Sequence, residues 1–477
     1  MGVVLALDLG TTNAKAQRFD DTGAAVGEPV HQPAAIGPDG WGDVEAVAGA
    51  AEAVLDEVAR DGTVDAVAVS AAWHTLVGVD AARRATTELS TWLDDRASDA
   101  AKALRAAVAD ADDVHQRVGA PIHPSFPSAR ILRLASQDPA AFKATRRWCS
   151  LSELLLSRWF GADVGPSASI ASGTGLYNQR SRTWDEELLD AVGIDAARLG
   201  SVDDHVRTGL APEYRSRWPA LAEVPWYPAQ GDGACAVFGS ECAVRGRAAL
   251  TVGTSAAVRV LSTPDRRETQ PLTGALFGYV VGADTPVVGA ARSNAGAAVA
   301  WASDVLGLTG IDAVSEATKD RAPGGHGLFV DPSLITERSP RWPLTPSAAF
   351  GGVRRTTTRI DILQAFVEAV AFGIAAAVDA LEAWAGAQQL VLGGGASTSA
   401  AWRQLLADVM GRPIECSPVS DDSARGAAIA ASLRMGLAGP PVSRSNVVVE
   451  PDRSRAAAYV DVRAAQAAAS FGASWGP

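Results

Sequence analysis

The chain has 477 residues, of which 47% are hydrophobic and 20% are charged, a balance typical of an ordinary soluble globular protein. That length exceeds what a single hydrophobic core organises, so two or three domains are expected. The formal net charge of −12 argues against nucleic acid or an anionic membrane as the main partner.

Three features of the sequence favour a reduced, cytoplasmic location. The four cysteines form no C-x-x-C pair and show no spacing typical of metal ligands. The N-terminus enters a strand that carries Asp8, unlike a secretory signal. The most apolar stretch, near residues 365–384, contains Glu368, Asp379 and Glu382, so no membrane span is predicted.

Apolar patterning predicts an alternation of strands and helices along the chain. In the N-terminal half we expect strands at 3–8, 14–19 and 64–70, helices at 44–60 and 99–118, and helices over 129–160 that break at 138–139. In the C-terminal half we expect strands at 248–260, 276–289 and 388–392, helices that begin near 296 and 398, helices at 361–385 and 423–435, and an irregular stretch at 323–345. This pattern indicates an α/β protein.

Two similar turns lie half a chain apart, in LDLGTTNAKA at residues 7–16 and LTVGTSAAVR at residues 250–259. In each, an apolar strand ends at a glycine that is followed by two hydroxyl residues: Gly10, Thr11 and Thr12 in the first copy, and Gly253, Thr254 and Ser255 in the second. A tight glycine turn exposes backbone N–H groups, and hydroxyls add further donors, which suits a phosphate. The pair predicts two related lobes that hold one polyphosphate.

The two copies differ at one informative position. Asp8 in the first copy corresponds to Thr251 in the second. A carboxylate is the hard oxygen ligand that Mg²⁺ favours, directly or through water. We therefore expect a metal on the side of the first lobe, with Thr251 dispensable for it.

Three further glycine-containing positions are compatible with nucleotide chemistry. Asp232 lies between two glycines just before the second turn, which suits a general base, although Gly-Asp-Gly is also a common ordinary turn. Gly296 stands in the first turn of a predicted helix. The run Gly393, Gly394 and Gly395 separates a strand from a helix, the order that lets a nucleotide lie against backbone.

Aromatic and charged residues mark a candidate substrate side. Trp73 and His74 follow a buried strand, and polar groups at such a strand end are well placed to face a ligand crevice, although His74 is equally compatible with a structural role. The segment TWLDDR at residues 91–96 contains Trp92, Asp94 and Arg96. By itself, such a cluster is more often a solvated helix start.

These motifs, in this order, resemble the FGGY family of carbohydrate kinases from Asp8 to about Met435. A longer family motif also fits, from Ala348-x-Phe350-x-Gly352 to the helix that contains Glu368. The resemblance implies a two-lobed, actin-like (ribonuclease H-like) ATPase fold with an interlobe active-site cleft. The implied lobes are residues 1–240, with sugar binding and the catalytic Asp, and residues 241–477, with ATP binding.

The resemblance also implies roles for individual residues. Asp232 would be the catalytic base, and Asp8 together with Asp232 would hold Mg²⁺. The residues implied to contact ATP are Gly10, Thr11, Thr12, Lys15, Gly253, Thr254, Ser255, Gly296, Gly393, Gly394 and Gly395.

Within the family, several stretches are similar to the gluconate kinase branch: WHTLVGVD at 73–80, TWLDDR at 91–96, GAPIHP at 119–124, GTSAAVR at 253–259 and WRQLLADV at 402–409. Gluconate is therefore the expected acceptor, phosphorylated on a primary hydroxyl. The candidate polyol contacts are Trp73, His74, Trp92, Asp94 and Arg96, and the substrate carboxylate would pair with Arg96, His123 or Arg130. Arg130 stands where a Lys is common in the branch.

Two alternatives stay open at this point. One is the same reaction on xylulose, another ketose, or a polyol such as glycerol. The other is a nucleotide-switched binding or regulatory protein on the same fold. The sequence does not choose between a monomer and a homodimer.

Overall fold

The computed structural model describes residues 2–60, 62–282, 284–308, 312–417, 421–437 and 447–469. Contacts divide the chain into two compact units. The first contains residues 1–244, 261–288 and 421–443, and the second contains residues 245–260, 289–420 and 444–477.

Strands and helices alternate along the described residues. Up to residue 244 they are β1 (Val3–Leu9), β2 (Asn13–Asp20), β3 (Ala25–Pro33), β4 (Trp41–Gly42), α1 (Val44–Val58), β5 (Ala66–Ala71), β6 (Val77–Val79), β7 (Leu89–Ser90), α2 (Ser98–Ala107), α3 (Ala111–Val118), α4 (Pro127–Gln137), α5 (Pro139–Ala144), β8 (Arg147–Cys149), α6 (Leu151–Phe160), α7 (Ala168–Ser172), β9 (Tyr177–Asn178), β10 (Thr183–Trp184), α8 (Glu186–Val192), α9 (Pro212–Arg217), β11 (Gln230–Gly231) and α10 (Asp232–Gly239).

Beyond residue 244 the same alternation continues. The elements there are β12 (Arg247–Val252), β13 (Ala256–Leu261), α11 (Pro264–Thr269), β14 (Phe277–Val281), β15 (Thr285–Arg292), α12 (Gly296–Val305), α13 (Ala313–Thr318), β16 (Phe329–Asp331), β17 (Ala349–Gly351), α14 (Arg359–Ala385), β18 (Gln389–Gly393), α15 (Ala400–Met410), β19 (Ile414–Cys416), α16 (Asp422–Met435), β20 (Val447–Val449) and α17 (Arg453–Ala468). Short 3₁₀ turns occur at Ala196–Arg198, Pro219–Leu221 and Gly395–Ser397.

The first unit is built on a five-stranded sheet in the order β11-β5-β1-β2-β3. β5 runs parallel to both β1 and β11, and its six residues are all buried, as expected for a strand covered on both faces. The register places Asp8 opposite Lys15 on one side and Ser70 on the other. Asp8 therefore lies between a basic and a hydroxyl side chain at one edge of this sheet.

Helix α16 returns to this first unit late in the chain, where it packs against β1, β5 and α10. A Cβ atom added to Gly426 in α16 would lie only 1.8 Å from the carbonyl oxygen of Cys235 in α10. The first compact unit therefore includes the α16 segment as well as residues up to 244, and the lobes of residues 1–240 and 241–477 stay a prediction.

The second unit contains most of a mixed sheet. Its neighbouring strands there are, in spatial order, part of β15, then β13, β12, β18, β19 and β20. β12 and β13 form an antiparallel hairpin, and β18 runs parallel to β12 with Gly393 opposite Thr251. The long helix α14 packs against this unit's α12, α13 and α15. Among the described residues α14 alone is long and apolar enough to cross a membrane, but most of it is buried in the unit, as in a core helix.

Most predicted elements are confirmed, and four differences concern stretches for which a structure was predicted. The helix expected at 99–118 is two helices, because Asp110 accepts hydrogen bonds from the N–H groups of Asp112 and Asp113 and starts α3 anew. β8 was not predicted within 129–160, nor was β16 within 323–345. Both are three-residue strands formed by pairing with distant partners, β6 and β17. α15 begins at Ala400, where Ser399 caps it.

Candidate active site

The first phosphate turn joins β1 to β2 in the first unit. The N–H of Gly10 donates to the carbonyl of Asn13 at 3.1 Å, which closes the turn tightly. Thr11 is half-buried and Thr12 is exposed. The turn therefore has the compact backbone and accessible hydroxyl group that phosphate binding requires.

Asp8 lies just before this turn within a group of charged side chains. Its Oδ1 accepts a hydrogen bond of 2.6 Å from the Ser70 hydroxyl, and Lys15 Nζ lies 3.0 Å from Oδ2 of Asp421. Burial, followed by the negative charge of Asp421, raises the pKa of Asp8 to about 8, against the opposing effects of Ser70 and Lys15. Although burial opposes it, the charges of Asp421 and Asp8 raise the pKa of Lys15.

This group fits a divalent cation by its charge. Asp232 also raises the pKa of Asp8, so two neighbouring carboxyl groups act on Asp8, with Lys15 opposing them. Among the residues that the structure describes, no three His, Cys, Asp or Glu side chains form a metal cage. Mg²⁺ bound with a nucleotide needs only one or two carboxylates, because phosphates and water supply its other ligands.

Asp232 is the first residue of α10, directly after β11. Its Oδ1 accepts a hydrogen bond of 2.7 Å from the N–H of Gly233, and its carbonyl accepts one of 3.3 Å from the Ser423 hydroxyl. β11 and β1 flank β5 on its two sides. The half-buried carboxyl group of Asp232 thus lies at the sheet edge that also carries Asp8.

Trp73 was predicted to contact the sugar, but its side chain is buried in the structure. Its side chain is only 4% exposed, and its Nε1 donates to the carbonyl of Ser169 at 2.9 Å. The ring packs directly on Gly231 and Gly173 and lies 4.8 Å from the Tyr279 ring. Trp73 therefore offers little surface to a sugar, and its evident contribution is to support the backbone next to Asp232.

His74 is held in an unusual backbone conformation, with φ of 67°. Its Nδ1 lies 2.5 Å from the carbonyl oxygen of Gly173, and its ring contacts those of Phe126 and Tyr279, at 4.8 and 5.5 Å. A non-glycine residue in this region costs about 1–3 kcal/mol, and such strain concentrates at functional sites. The observation strengthens His74 as a candidate substrate contact.

The TWLDDR segment is a fixed structure rather than a solvated helix start. Arg96 donates from Nε and Nη2 to the two oxygens of fully buried Asp94, at 2.8 and 2.9 Å, and its guanidinium stacks over the Trp41 ring. Although burial opposes it, Arg96 and Arg130 lower the pKa of Asp94, so this carboxyl group is ionised. Trp92 is half-buried.

His123 and Arg130 are not placed to bind a substrate carboxylate. Both side chains are 0% exposed, and Nδ1 of His123 lies 3.2 Å from the Ser125 backbone nitrogen, which donates to it. Arg130 donates to Ser90 Oγ and to the carbonyl oxygens of Thr91, Ser125 and His74. The prediction of Arg130 as a carboxylate partner is therefore corrected: its donors are directed at neutral oxygens of the protein.

The second phosphate turn lies in the second unit, between β12 and β13. The N–H of Gly253 donates to the carbonyl of Ser255 at 2.8 Å. At the start of α12, the N–H groups of Gly296 and Ala297 donate to the carbonyls of Gly253 and Thr254 at 2.9 and 3.2 Å. A Cβ atom on Gly296 would lie 2.4 Å from the Gly253 oxygen, so only glycine permits this approach.

The triple glycine lies beside that turn. Gly393 pairs with Thr251, and a Cβ atom on Gly394 would stand 2.8 Å from the carbonyl oxygen of Val252. Gly395 opens a 3₁₀ turn. The second unit thus brings Gly253, Gly296 and the run 393–395 close together, with Gly395 exposed, Gly253, Gly296 and Gly394 partly exposed, and Gly393 buried.

Three residues at these sites were not singled out from the sequence: Ser70, Tyr279 and Asp421. Ser70 ends a strand whose type was predicted, and the register of that strand to β1 would have placed it beside Asp8. Tyr279 lies within the predicted strand 276–289. Asp421 carried no local signal, because its partner Lys15 is more than 400 residues away along the chain.

The two-unit α/β architecture is that of the actin-like ATPases. The N-terminal domain model of the FGGY family of carbohydrate kinases matches residues 3–239, and the C-terminal domain model matches residues 248–435. The chain belongs to the FGGY family of carbohydrate kinases, and it is accordingly an ATP-dependent phosphotransferase. This confirms the predicted family and fold, and it sets aside the alternative of a binding protein.

Individual relatives align over most of their length. The chain is 25% identical to a gluconokinase of Bacillus subtilis over 456 residues, covering 89% of this chain and 86% of that one. It is 30% identical to a glycerol kinase of Gloeobacter violaceus over 452 residues, with coverage of 92% and 89%. Similarity to gluconokinases supports the gluconate kinase branch.

Solved structures show the same fold. A gluconate kinase of Lactobacillus acidophilus superposes with a TM-score of 0.84 at 23% identity, over 98% of this chain and 97% of that one. A xylulose kinase of the same organism gives a TM-score of 0.83, also at 23% identity, with coverage of 98% and 97%. At this identity the likeness concerns the fold alone.

Proposed function

We propose that this protein transfers the γ-phosphate of ATP to a primary hydroxyl of a small sugar acid, with gluconate as the first choice. The observation that carries the proposal is one edge of the first unit's sheet, where Asp8 lies near the end of β1, Lys15 near the start of β2 and Asp232 directly after β11. The similarity to gluconokinases and the motifs shared with that branch support gluconate.

In this proposal Asp232 accepts the proton of the attacking hydroxyl. A general base must approach the proton that it abstracts, and Asp232 is fixed by its own helix N-terminus while its carboxyl group stays partly exposed. Asp8 and Asp232 would hold Mg²⁺, which neutralises charge on the phosphates. Lys15 adds a positive charge beside the first phosphate turn.

The backbone supplies the remaining phosphate contacts. We assign Gly10, Thr11 and Thr12 in the first unit, and separately the second turn with Gly296 in the second unit, to contacts with the phosphates of ATP. The glycines 393–395 would lie along its adenosine part. Phosphoryl transfer depends mainly on positioning and charge neutralisation, so backbone turns of this kind are sufficient for binding.

Arg96 is the best-placed cation for a substrate carboxylate among the three candidates. Its side chain is 37% exposed, whereas His123 and Arg130 are fully buried. It is already bound to Asp94, which fixes the guanidinium plane and leaves Nη1 only 3.6 Å from Glu88. Asp94 thus fixes the guanidinium, and a substrate carboxylate would replace Glu88, the longer of its two ion pairs, at Nη1.

The second candidate is a glycerol kinase, which the 30% identity to the Gloeobacter violaceus enzyme favours. Glycerol carries no carboxylate, so it would make no use of an exposed Arg96. Xylulose and other ketoses stay as further alternatives. A cytoplasmic location, and the choice between a monomer and a homodimer, stay predictions from the sequence.

A coupled assay of ADP release across gluconate, D-xylulose and glycerol tests the substrate. We expect kcat/KM for gluconate to exceed that for the other two substrates by about 10²-fold or more, because only gluconate has a carboxylate that can pair with Arg96. Arg96→Gln should reduce this preference. Glycerol or xylulose as the better substrate of the unmodified enzyme would contradict the assignment.

Asp232→Asn tests the base in the same assay. Loss of a general base should lower kcat by about 10²–10⁴-fold, while binding of a non-hydrolysable ATP analogue is retained. Asp190→Asn, at an exposed position in α8, serves as the control and should leave kcat unchanged. Unchanged turnover in Asp232→Asn would refute the assignment of the base.

A further inference from the structure

A buried segment of the second unit, residues 335–339, is bonded to the end of β15 and the residues that follow it. The carbonyl of Ile335 accepts a hydrogen bond of 3.0 Å from the Asn294 side chain, and its N–H donates to Asn294 Oδ1 at 3.1 Å. Ser339 exchanges two hydrogen bonds with Ala291, at 2.8 and 3.0 Å. The two segments are therefore joined at both ends.

Glu337 lies at the centre of this connection and is only 4% exposed. One carboxylate oxygen accepts from the N–H groups of Ser293 and Arg338, and the other lies 2.9 Å from Arg292 Nη2 and 3.2 Å from Asn294 Nδ2. A carboxylate offers about four acceptor sites, so all of them are occupied. Three of these donors belong to consecutive residues, 292–294, which one side chain thus fixes together.

The residues fixed by Glu337 lead directly to Gly296 at the start of α12, which is hydrogen-bonded to the second phosphate turn. Asn294 is followed by Ala295 and then by Gly296, whose N–H donates to the carbonyl of Gly253 at 2.9 Å. The backbones of Gly296 and Gly253 are in direct contact, so a displacement of residues 292–294 would be transmitted to the turn. Protein interiors are closely packed and pass such displacements on.

We propose that Glu337 is a positioning residue for nucleotide phosphate binding, acting through residues 292–296 on the turn at Gly253 and Thr254. It does not touch the phosphate in this scheme. It holds the backbone donors at the spacing that the phosphate needs. The inference rests on the proposed assignment of that turn to ATP, so the experiment examines the turn separately.

Glu337→Gln is the decisive variant, because it keeps the volume of the side chain. It replaces one acceptor oxygen with an NH₂ group that faces donors, and it removes the charge that pairs with Arg292. We expect kcat/KM for ATP to fall by about 10–100-fold, because a displacement of the second phosphate turn by up to about 1 Å can lower the rate by that factor. The KM for the sugar should change by less than about twofold.

Glu368→Gln is the matched control within the same unit. Glu368 is 1% exposed and also receives four donors, from Gly324, His326, Gln364 and Tyr459, but none of them leads to the phosphate turn. Both variants should lower Tm. Only Glu337→Gln should weaken binding of a non-hydrolysable ATP analogue in calorimetry.

Two outcomes would overturn the proposal. In one, Glu337→Gln lowers Tm but leaves the affinity for the analogue unchanged. In the other, Glu368→Gln weakens the analogue equally, which would mean that general loosening is responsible. If Glu337→Gln does not fold, Asn294→Ala supplies the same comparison, since it removes the links to Ile335 and Glu337 but keeps the Arg292 pair.

Thr254→Val separates this proposal from the function on which it rests. If Thr254→Val binds the analogue normally, the Thr254 hydroxyl makes no phosphate contact and that part of the proposed ATP site fails. If Thr254→Val weakens binding while Glu337→Gln does not, the turn is correct and only the role of Glu337 is refuted.

Discussion

Arg130 shows how one buried side chain organises the substrate side of the first unit. Its guanidinium reaches four oxygens that belong to three separate segments: residues 74, 90–91 and 125. Each segment contains or lies within two residues of a candidate sugar contact: His74, Trp92 and His123. Burial lowers the pKa of Arg130, and the negative charge of Asp94 opposes that effect. The side chain is thus better suited to aligning the three segments than to binding a ligand.

Arg130→Lys should therefore disturb the sugar site while the charge is kept. A single ammonium group cannot reach all three segments, and hydrogen bonds to charged groups contribute about 1.5–3 kcal/mol each. We expect the KM for the sugar to rise by about tenfold or more, with the KM for ATP nearly unchanged. Steady-state kinetics with each substrate varied in turn measures this split.

The control for Arg130→Lys is Arg147→Lys in the same unit. Arg147 is also largely buried, donates to the carbonyl of Val164 and pairs with Glu153 at 3.0 Å, but contacts none of the three segments. It should lose stability without a change in the KM for the sugar. An equal rise in both variants would show that Arg130 acts only through stability.

At the scale of elements, the contact of α10 with α16 positions the proposed base. α10 begins at Asp232, and α16 carries Gly426 against its backbone and Ser423 against the Asp232 carbonyl. Lys15 pairs with Asp421, the N-cap of α16. The start of α16 therefore lies beside both Lys15, which follows the first phosphate turn, and the proposed base Asp232.

Gly426→Ala should separate these two helices. The added Cβ would meet the Cys235 carbonyl at 1.8 Å, and forced repacking of this kind typically costs about 1–3 kcal/mol or more. The free energy of unfolding should fall by at least that amount, and kcat should fall with it as Asp232 is displaced. Denaturant unfolding and the ADP-release assay give the two values.

Gly49→Ala is the opposing control, because Gly49 also lies within a helix, α1, but has open space where a Cβ would stand. Alanine is favoured over glycine in a helix by about 0.8–1.0 kcal/mol. Gly49→Ala should therefore stabilise the protein slightly and leave kcat unchanged. A comparable loss of stability in both variants would contradict the close-contact argument.

Whether a feature could be predicted from the sequence depends on how far apart its interacting residues lie along the chain. The turns at Gly10 and Gly253 and most helices were predictable, because glycine, hydroxyl residues and apolar periodicity act within a few residues. The pair of Lys15 with Asp421 was not predictable from local pattern, since it needs the return of α16 to the first sheet. The burial of Arg130 against His74, Ser90 and Thr91 was not predictable either, because these residues lie 39 to 56 positions earlier in the chain.

At the scale of the whole molecule, we expect each unit to bind mainly one of the two substrates. The candidate sugar contacts all lie in the first unit, whereas the second unit holds Gly253, Gly296 and the glycines 393–395. The first phosphate turn, at residues 10–12, is the exception, because it would bind nucleotide from the first unit. Amide hydrogen exchange can observe this division directly, since a bound ligand protects the backbone that it contacts.

A non-hydrolysable ATP analogue should slow exchange at residues 10–13, 251–256, 294–298 and 393–397. Gluconate should slow it at residues 73–76 and 91–96. At a ligand concentration of about 100 Kd, binding stabilises the protein by about 2.7 kcal/mol, which sets the upper limit of the protection. Thr254→Val should remove the nucleotide pattern and keep the sugar pattern, because it changes only the second turn. Protection of residues 73–76 by the analogue alone, with none at 251–256, would show that the substrates are assigned to the wrong units.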